Sequence, residues 1–146
     1  VRPDIGLTTD VIVGFPGETE AQFEDTLSLV REVRFDAAYT FIYSPRVGTR
    51  AADMPDQIPE EVSSRRIQKL IALQKDVTHK RYANYIGQVH SVLVEESSRR
   101  DENQMAGKNE YNITVNFPGD KSLIGQIVRV KITSAGESTL RGERVE

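Results

Sequence analysis

The chain changes its hydrophobic period at Ile86-Gly87, and no single packing layer can serve both sides of that change. Before it, apolar residues recur at helical spacing between two short β-branched or aromatic runs. After it, they alternate every second residue in short stretches punctuated by glycine. At 146 residues there is room for two small cores. The prediction is an α/β piece over residues 1–86, including a long connecting helix, and an all-β piece over 87–146.

In the first piece, the run Val11-Ile12-Val13 inside residues 8–15 reads as a buried strand bounded by Gly14 and Pro16. A helix then starts at a marked point. Thr19 stands three residues before Gln22, the spacing of a capping box, with Glu18 and Glu20 at the positive end of the helix dipole. Phe23, Leu27 and Val30 follow at helical spacing, and the helix is expected to fade near Val33-Arg34. Residues 37–43 form a second strand, which gives a βαβ unit with parallel strands and a right-handed crossover. Two parallel strands cannot cover themselves, so further strands are expected beside them, upstream of Val1. After a loop with Pro45, Gly48 and Pro55, Pro59 suits the first turn of a helix running to about Tyr85. Val62, Ile67, Leu70, Ile71 and Val77 are predicted on one side of it. Its other faces are basic, with six cations against the single acid Asp76 between Arg65 and Arg81.

The second piece is read as strands over 89–95, 113–117, 127–132 and 138–145, with turns at Gly107, Pro118-Gly119, Gly125 and Gly136. Short strands of this kind hide their edges by closing into a small OB-type barrel.

Composition removes several chemistries. The chain has no Cys, which excludes disulfides, thiolate catalysis and Cys-bound zinc or iron–sulfur clusters within these residues. With only His79 and His90, a histidine metal site is not expected. A formal net charge of −3 gives no global attraction to nucleic acid, so any RNA contact needs a local patch. No run approaches the roughly 20 apolar residues of a membrane helix. The opening Val1-Arg2-Pro3-Asp4 lacks both a signal-peptide pattern and an initiator Met. The expectation is a soluble cytoplasmic protein whose chain begins inside a longer one, or has been processed.

Two loops offer ligand sites. Val13-Gly14-Phe15-Pro16-Gly17-Glu18-Thr19 leaves the C-terminal end of a strand and enters a helix N-terminus, where backbone N–H groups and the dipole converge. It is neither a P-loop nor a dinucleotide fingerprint. A tight βα turn without ligand accounts for the same residues equally well. Tyr43-Ser44-Pro45-Arg46-Val47-Gly48-Thr49 opens on the same sheet edge, and Arg46 there suits a carboxylate or phosphate as well as solvent.

Taken in order, Thr8-Thr-Asp-Val-Ile-Val-Gly-Phe-Pro-Gly-Glu-Thr19 and Phe41-Ile-Tyr-Ser-Pro-Arg-Val-Gly-Thr49 closely resemble the last two strands of the radical-SAM methylthiotransferases. Ile58-Pro59-Glu60-Glu61-Val62 and Leu70-Ile-Ala-Leu-Gln74 resemble that family's next helix, and the final 60 residues resemble its TRAM domain. The sequence departs at Val47 and Arg50, where the family often has Pro. The resemblance implies the C-terminal βαβ portion of an open radical-SAM (TIM-like) barrel followed by an OB-like TRAM β-barrel. It implies S-adenosylmethionine and two 4Fe-4S clusters as cofactors, with every cluster ligand upstream of this chain. Gly14, Phe15, Pro16, Gly17, Glu18, Tyr43, Ser44 and Pro45 would lie near the adenosyl group or the substrate entrance. No catalytic residue is expected in the chain itself, and the chain alone is expected to be inactive.

Members of that family thiomethylate either adenosine 37 of tRNA or an aspartate of a ribosomal protein. Gly107-Lys-Asn-Glu-Tyr-Asn112-Ile-Thr-Val-Asn116-Phe117 resembles the version acting on isopentenyladenosine of tRNA, with Lys108 and Asn109 replacing the usual Arg and Thr. The implied partners are a tRNA anticodon stem-loop and the upstream domains of the same protein, with no membrane. The ribosomal-protein substrate, threonylcarbamoyladenosine, and a purely RNA-binding or scaffold role remain alternatives. Residues 87–146 carry nine acidic and eight basic side chains, poor for a general phosphate binder. Arg129 and Lys131 nevertheless alternate onto one face, which Lys108, Asn112, Asn116 and Arg141 are expected to extend. Each Lys or Arg, taken singly, is more commonly a solvated surface charge. Tyr111 and Phe117 are read as possible base-stacking rings, Phe117 more naturally as core. The basic side of the long helix is a further candidate RNA surface.

Overall fold

The computed structural model describes residues 5–98, 101 and 103–146. The opening Val1-Arg2-Pro3-Asp4 lies outside them. Among the described residues, no helix is long and apolar enough to cross a membrane. The contacts divide these residues into two compact units, Gly6–Thr78 and, with Ile5, His79–Glu146.

The first unit is a strand–helix–strand. Strands β1 (Thr8–Val13) and β2 (Ala37–Ile42) pair in parallel, Thr8 with Ala37 through Val13 with Ile42. Between them runs α1 (Glu20–Val33). The capping box forms in both directions: Thr19 Oγ1 accepts from the Gln22 N–H at 3.2 Å, and Gln22 Oε1 accepts from the Thr19 N–H at 2.9 Å. Arg34 ends the helix in the left-handed conformation at φ 58°. Helix α2 (Glu60–Ala83) starts behind Pro59. Val13, Phe23, Leu27, Val30, Leu70 and Val77 make the core.

The stripe that α2 buries is only partly apolar. Leu70 and Val77 are inside as predicted, but Ile71 stands 38% exposed. Ser63, Arg66, Gln74 and Thr78 are buried instead. Gln74 Nε2 donates to the Phe35 carbonyl and Thr78 Oγ1 to the Asp36 carbonyl, at 2.8 and 2.9 Å, so these polar groups fasten the α1–β2 connection.

The second unit is a closed five-stranded barrel in the order β3-β4-β5-β7-β6. Its strands are β3 (Val89–Ser97), β4 (Gln104–Asn109), β5 (Thr114–Pro118), β6 (Ile127–Ala135) and β7 (Thr139–Val145). Strand β4 is absent from the four-strand prediction. Its sequence, Gln-Met-Ala-Gly-Lys-Asn, has no β-branched residue, so propensity gives no sign of it. What it supplies is close approach: a Cβ on Gly107 would overlap the Leu93 carbonyl oxygen and lie 2.8 Å from its carbon. Gly142 on β7 stands in the same relation to the Lys131 carbonyl on β6. Each glycine faces the residue just before a register shift, Val94 on β3 and Ile132 on β6, so bulge and glycine together bend the two nine-residue strands. Val92, Val94, Met105, Val115, Phe117, Val130, Ile132 and Leu140 fill the interior.

Among the described residues, the polar side chains of His90 and Asn109 are buried in this unit too. His90, 2% exposed, lies edge-on to Tyr85 at 5.1 Å and beside Tyr111 at 5.5 Å. Asn109 holds it: the Asn109 amide lies 2.8 Å from His90 Nδ1, while its carbonyl oxygen accepts from the N–H groups of Tyr111 and Ile113 at 3.1 and 2.9 Å. Because an amide N–H donates to it, Nδ1 must be the acceptor and the ring neutral. Burial pushes the imidazole below its usual range, with Glu110 partly opposing. The unfolded chain therefore binds the extra proton first. Stability is expected to be full above pH of about 6.5 and to fall as pH drops through the lowered folded-state value. Denaturant unfolding at pH 7.5 and 5.5 checks this. His90→Asn, whose carbonyl replaces Nδ1 as acceptor, should flatten the difference.

Candidate functional site

The sequence points to the loops after β1 and β2 and the basic side of α2 in the first unit, and to the outer face of the barrel in the second.

In the turn, Gly14 and Gly17 both adopt positive φ, 74° and 82°. Their roles differ. A Cβ on Gly14 would overlap Ser63 Oγ and lie 3.0 Å from Ser63 Cβ, so this glycine exists for close packing on α2. A Cβ on Gly17 would meet nothing within 4 Å. The backbone donors of the turn are largely spent inside it. The Gly17 N–H donates to the Asp56 carbonyl at 2.8 Å and that of Glu18 to the Phe15 carbonyl at 2.9 Å. The Gly14 N–H donates to Glu18 Oε1 at 3.0 Å. That carboxylate also takes Arg66 Nη1 at 2.7 Å. Arg66 continues to Glu20 Oε2, with two N–H groups at 3.2 Å each. Pro16 is buried. The turn is thus pinned to α2 by a buried guanidinium, a residue the apolar reading of the helix passed over.

Phe15, Ser44 and Pro45 are exposed, and Tyr43 is half-buried. The Phe15 ring, 45% exposed, meets Tyr43 edge-on at 5.2 Å. The Tyr43 hydroxyl is buried with no hydrogen-bond partner among the described residues. A groove of about 550 Å³ runs beside it, lined by Ile12, Phe41, Ile42, Tyr43, Ser44 and Arg46. Pro45 is exposed in the following loop. The basic side of α2 is weaker than predicted, because Arg66 is buried on Glu18 and Glu20 and Lys69 pairs with Glu24.

On the barrel, the six residues of the predicted face occupy three places. Lys108 and Asn112 meet at the β4–β5 turn, Lys108 Nζ donating to the Asn112 carbonyl at 3.3 Å. Asn112 itself has φ 59°. Arg129 and Lys131 follow each other on the outside of β6, across from Ser91 and Val89 of β3. Arg129 donates to the Glu146 carbonyl at 3.3 Å, and Lys131 stands across from Glu143 of β7. Asn116 and Arg141 are direct partners across the parallel β5–β7 pair. They line a concave polar cleft of about 900 Å³ together with Glu96, Thr114, Ser134 and Glu137. Phe117 is fully buried and Tyr111 half-buried, stacked on Tyr85 at 5.1 Å. Nothing local in the sequence marks the cleft as a whole, since its residues come from three separated stretches, 96–106, 114–116 and 134–141.

Residues 83–145 match the TRAM domain family. Over 141 residues, 97% of this chain, the sequence is 56% identical to the tRNA-2-methylthio-N(6)-dimethylallyladenosine synthase of Geobacillus thermodenitrificans. The synthases of the same name from Anoxybacillus flavithermus and Thermoanaerobacter sp. (strain X514) are 55% and 51% identical over 99% of this chain. Along nearly its whole length the chain is similar to these synthases. It spans 27% of the length of the first two relatives and 31% of the third. This similarity covers both units, while the TRAM match begins at Ala83, the last residue of α2, and takes in all five barrel strands.

Proposed function

We propose that this chain forms the C-terminal βαβ portion of a radical-SAM (TIM-like) barrel and the TRAM barrel of an enzyme that adds a methylthio group to C2 of N6-isopentenyladenosine at position 37 of tRNA. The observation that carries this reading is identity above 50% to named synthases along almost the whole chain, the barrel included. The barrel's part is RNA binding, through Lys108, Asn112, Asn116, Arg129, Lys131 and Arg141. An anticodon stem-loop is the partner, with the remainder of the longer protein, in the cytoplasm.

S-adenosylmethionine and two 4Fe-4S clusters would supply radical formation and the sulfur and methyl donors. The chain has no Cys, and its described residues contain no group of three potential metal ligands, so they do not fit the clusters. They do fit part of an adenosyl group. The Phe15–Tyr43 ring pair and the orphaned Tyr43 hydroxyl offer one aromatic wall and one unspent polar group beside an apolar groove. In this reading Tyr43, Ser44, Pro45 and Phe15 orient the nucleoside. Gly14, Pro16, Gly17 and Glu18 hold the turn that presents Phe15, and the chain by itself turns nothing over.

The test is binding of this chain to an anticodon stem-loop carrying isopentenyladenosine, across a salt titration, beside a scrambled hairpin and a ribosomal-protein peptide. Selective binding to the stem-loop that weakens with salt is expected. A folded chain that prefers the peptide, or shows no preference for RNA, overturns the reading.

A further inference from the structure

The barrel carries two polar surfaces of different chemistry, and we infer that they divide the work of RNA recognition. The β5–β7 cleft takes an unpaired nucleotide and reads it by hydrogen bonds, whereas the β6 row supplies phosphate attraction. This rests on the RNA-binding reading above and deepens it.

Concavity is the first ground. The cleft, at about 900 Å³, is within the size range of small-molecule sites, whereas Arg129 and Lys131 stand on the convex outside of a strand. Unspent hydrogen-bonding capacity is the second. Among the described residues, neither the Arg141 guanidinium nor the Asn116 side chain has a hydrogen-bond or ion-pair partner, though their backbones are paired to each other. Lys108 and Arg129, in contrast, already donate to the carbonyls of Asn112 and Glu146. Two neighbouring side chains, one a five-donor fork and the other an amide with both donors and an acceptor, can pair with base edges and ribose hydroxyls in fixed geometry.

Charge is the third ground. The acidic side chains in the cleft wall are Glu96, Asp101 and Glu137, and Arg141 is the one cation there among the described residues. A wall of that sign repels a phosphate chain. The Asp101 carboxylate is already bonded, accepting from the Asn103 N–H and the Gln104 amide at 3.0 and 3.2 Å. The hydroxyls of Thr114 and Ser134 add uncharged donors and acceptors to the same wall. Mixed donors and acceptors in a concave site suit a splayed base and its ribose, which is how sequence-specific RNA recognition generally operates, while phosphate contacts position the strand.

The test compares Asn116→Ala, Arg141→Ala and Arg141→Lys with the double variant Arg129→Ala/Lys131→Ala. The readout is affinity for the cognate and scrambled stem-loops at several salt concentrations, after confirming by thermal unfolding that each variant is folded. The cleft variants should lower the cognate-to-scrambled ratio at least about tenfold, with the salt slope reduced by no more than about 0.7. Arg141→Lys, which keeps the charge but not the fork, should behave like Arg141→Ala. The β6 double variant should weaken both RNAs alike and lower the slope by about 1.4. Selectivity that survives in the cleft variants, or is lost only in the β6 variant, overturns the inference while leaving RNA binding intact. Failure of the unaltered chain to bind either RNA overturns both readings.

Discussion

Replacing Arg66 by Ala is expected to destabilise the βαβ unit by about 3 to 5 kcal/mol, the range for breaking one partner out of a buried ion pair. The guanidinium is 5% exposed and lies over the Phe23 ring at 5.6 Å. Its Nη1 donates both to Glu18 Oε1 at 2.7 Å and to the Glu18 carbonyl at 3.1 Å. Truncation would leave the Glu18 carboxylate, 12% exposed, with only the Gly14 N–H for company. Glu20 contributes less, because its side chain is 57% exposed and its half of the fork is screened by water. Arg66→Lys should recover only part of the loss, since one ammonium cannot span both carboxylates and the carbonyl. Arg66→Met combined with Glu18→Gln should recover more, because neither charge is then stranded. Urea unfolding of the three variants decides the matter, and a loss below about 1 kcal/mol for Arg66→Ala would show that the turn is held by something else.

The second large effect is expected at Gly142. An added methyl would overlap the Lys131 carbonyl oxygen and lie 2.5 Å from Val130 Cγ1. Overpacking of a core typically costs about 1 to 3 kcal/mol, when side chains can give way. Here the obstruction is a neighbouring strand's backbone, whose retreat would break the β6–β7 ladder, so Gly142→Ala should cost at least about 3 kcal/mol. Gly107→Ala meets the Leu93 carbonyl in the same way and should cost as much. Gly125→Ala gives the contrast: its φ of 83° strains any side chain, but nothing lies within 4 Å of the added atom. Its loss should stay near 1 kcal/mol, the general cost of a residue held in the left-handed region. Equal losses at all three positions in denaturant melts would remove close approach as the explanation.

Elements whose evidence is local were readable in the chain. Thr19 and Gln22 announce α1 three residues apart, and Val128, Val130 and Ile132 announce the inner face of β6 by alternation. Strand β4 was not readable, since Gly107 is there for a carbonyl fourteen residues away and leaves no mark in its own neighbourhood. Arg66 looked like one more charge on a basic helix. Only the fold shows that its turn of α2 meets Glu18 and Glu20. The predicted single RNA face failed to form as one surface for a related reason. Alternation tells which side of a strand a residue occupies, not which strands become neighbours, and the barrel order separates Arg141 from Arg129 and Lys131 by register as well as by partner strand.

That barrel order has a consequence for assembly. Strands β3, β4 and β5 form one continuous meander, and β6 and β7 one hairpin, each built from chain neighbours. The two pieces are zipped along two seams, antiparallel between β3 and β6 and parallel between β5 and β7. Arg129 and Lys131 sit on the first seam, Asn116 and Arg141 on the second. A barrel open along the second seam would keep its hairpins, and most of its strand signal in circular dichroism, yet lose the Asn116–Arg141 cleft. The cleft is therefore a property of its seam, and a ligand that grips across it stabilises closure more the tighter it binds.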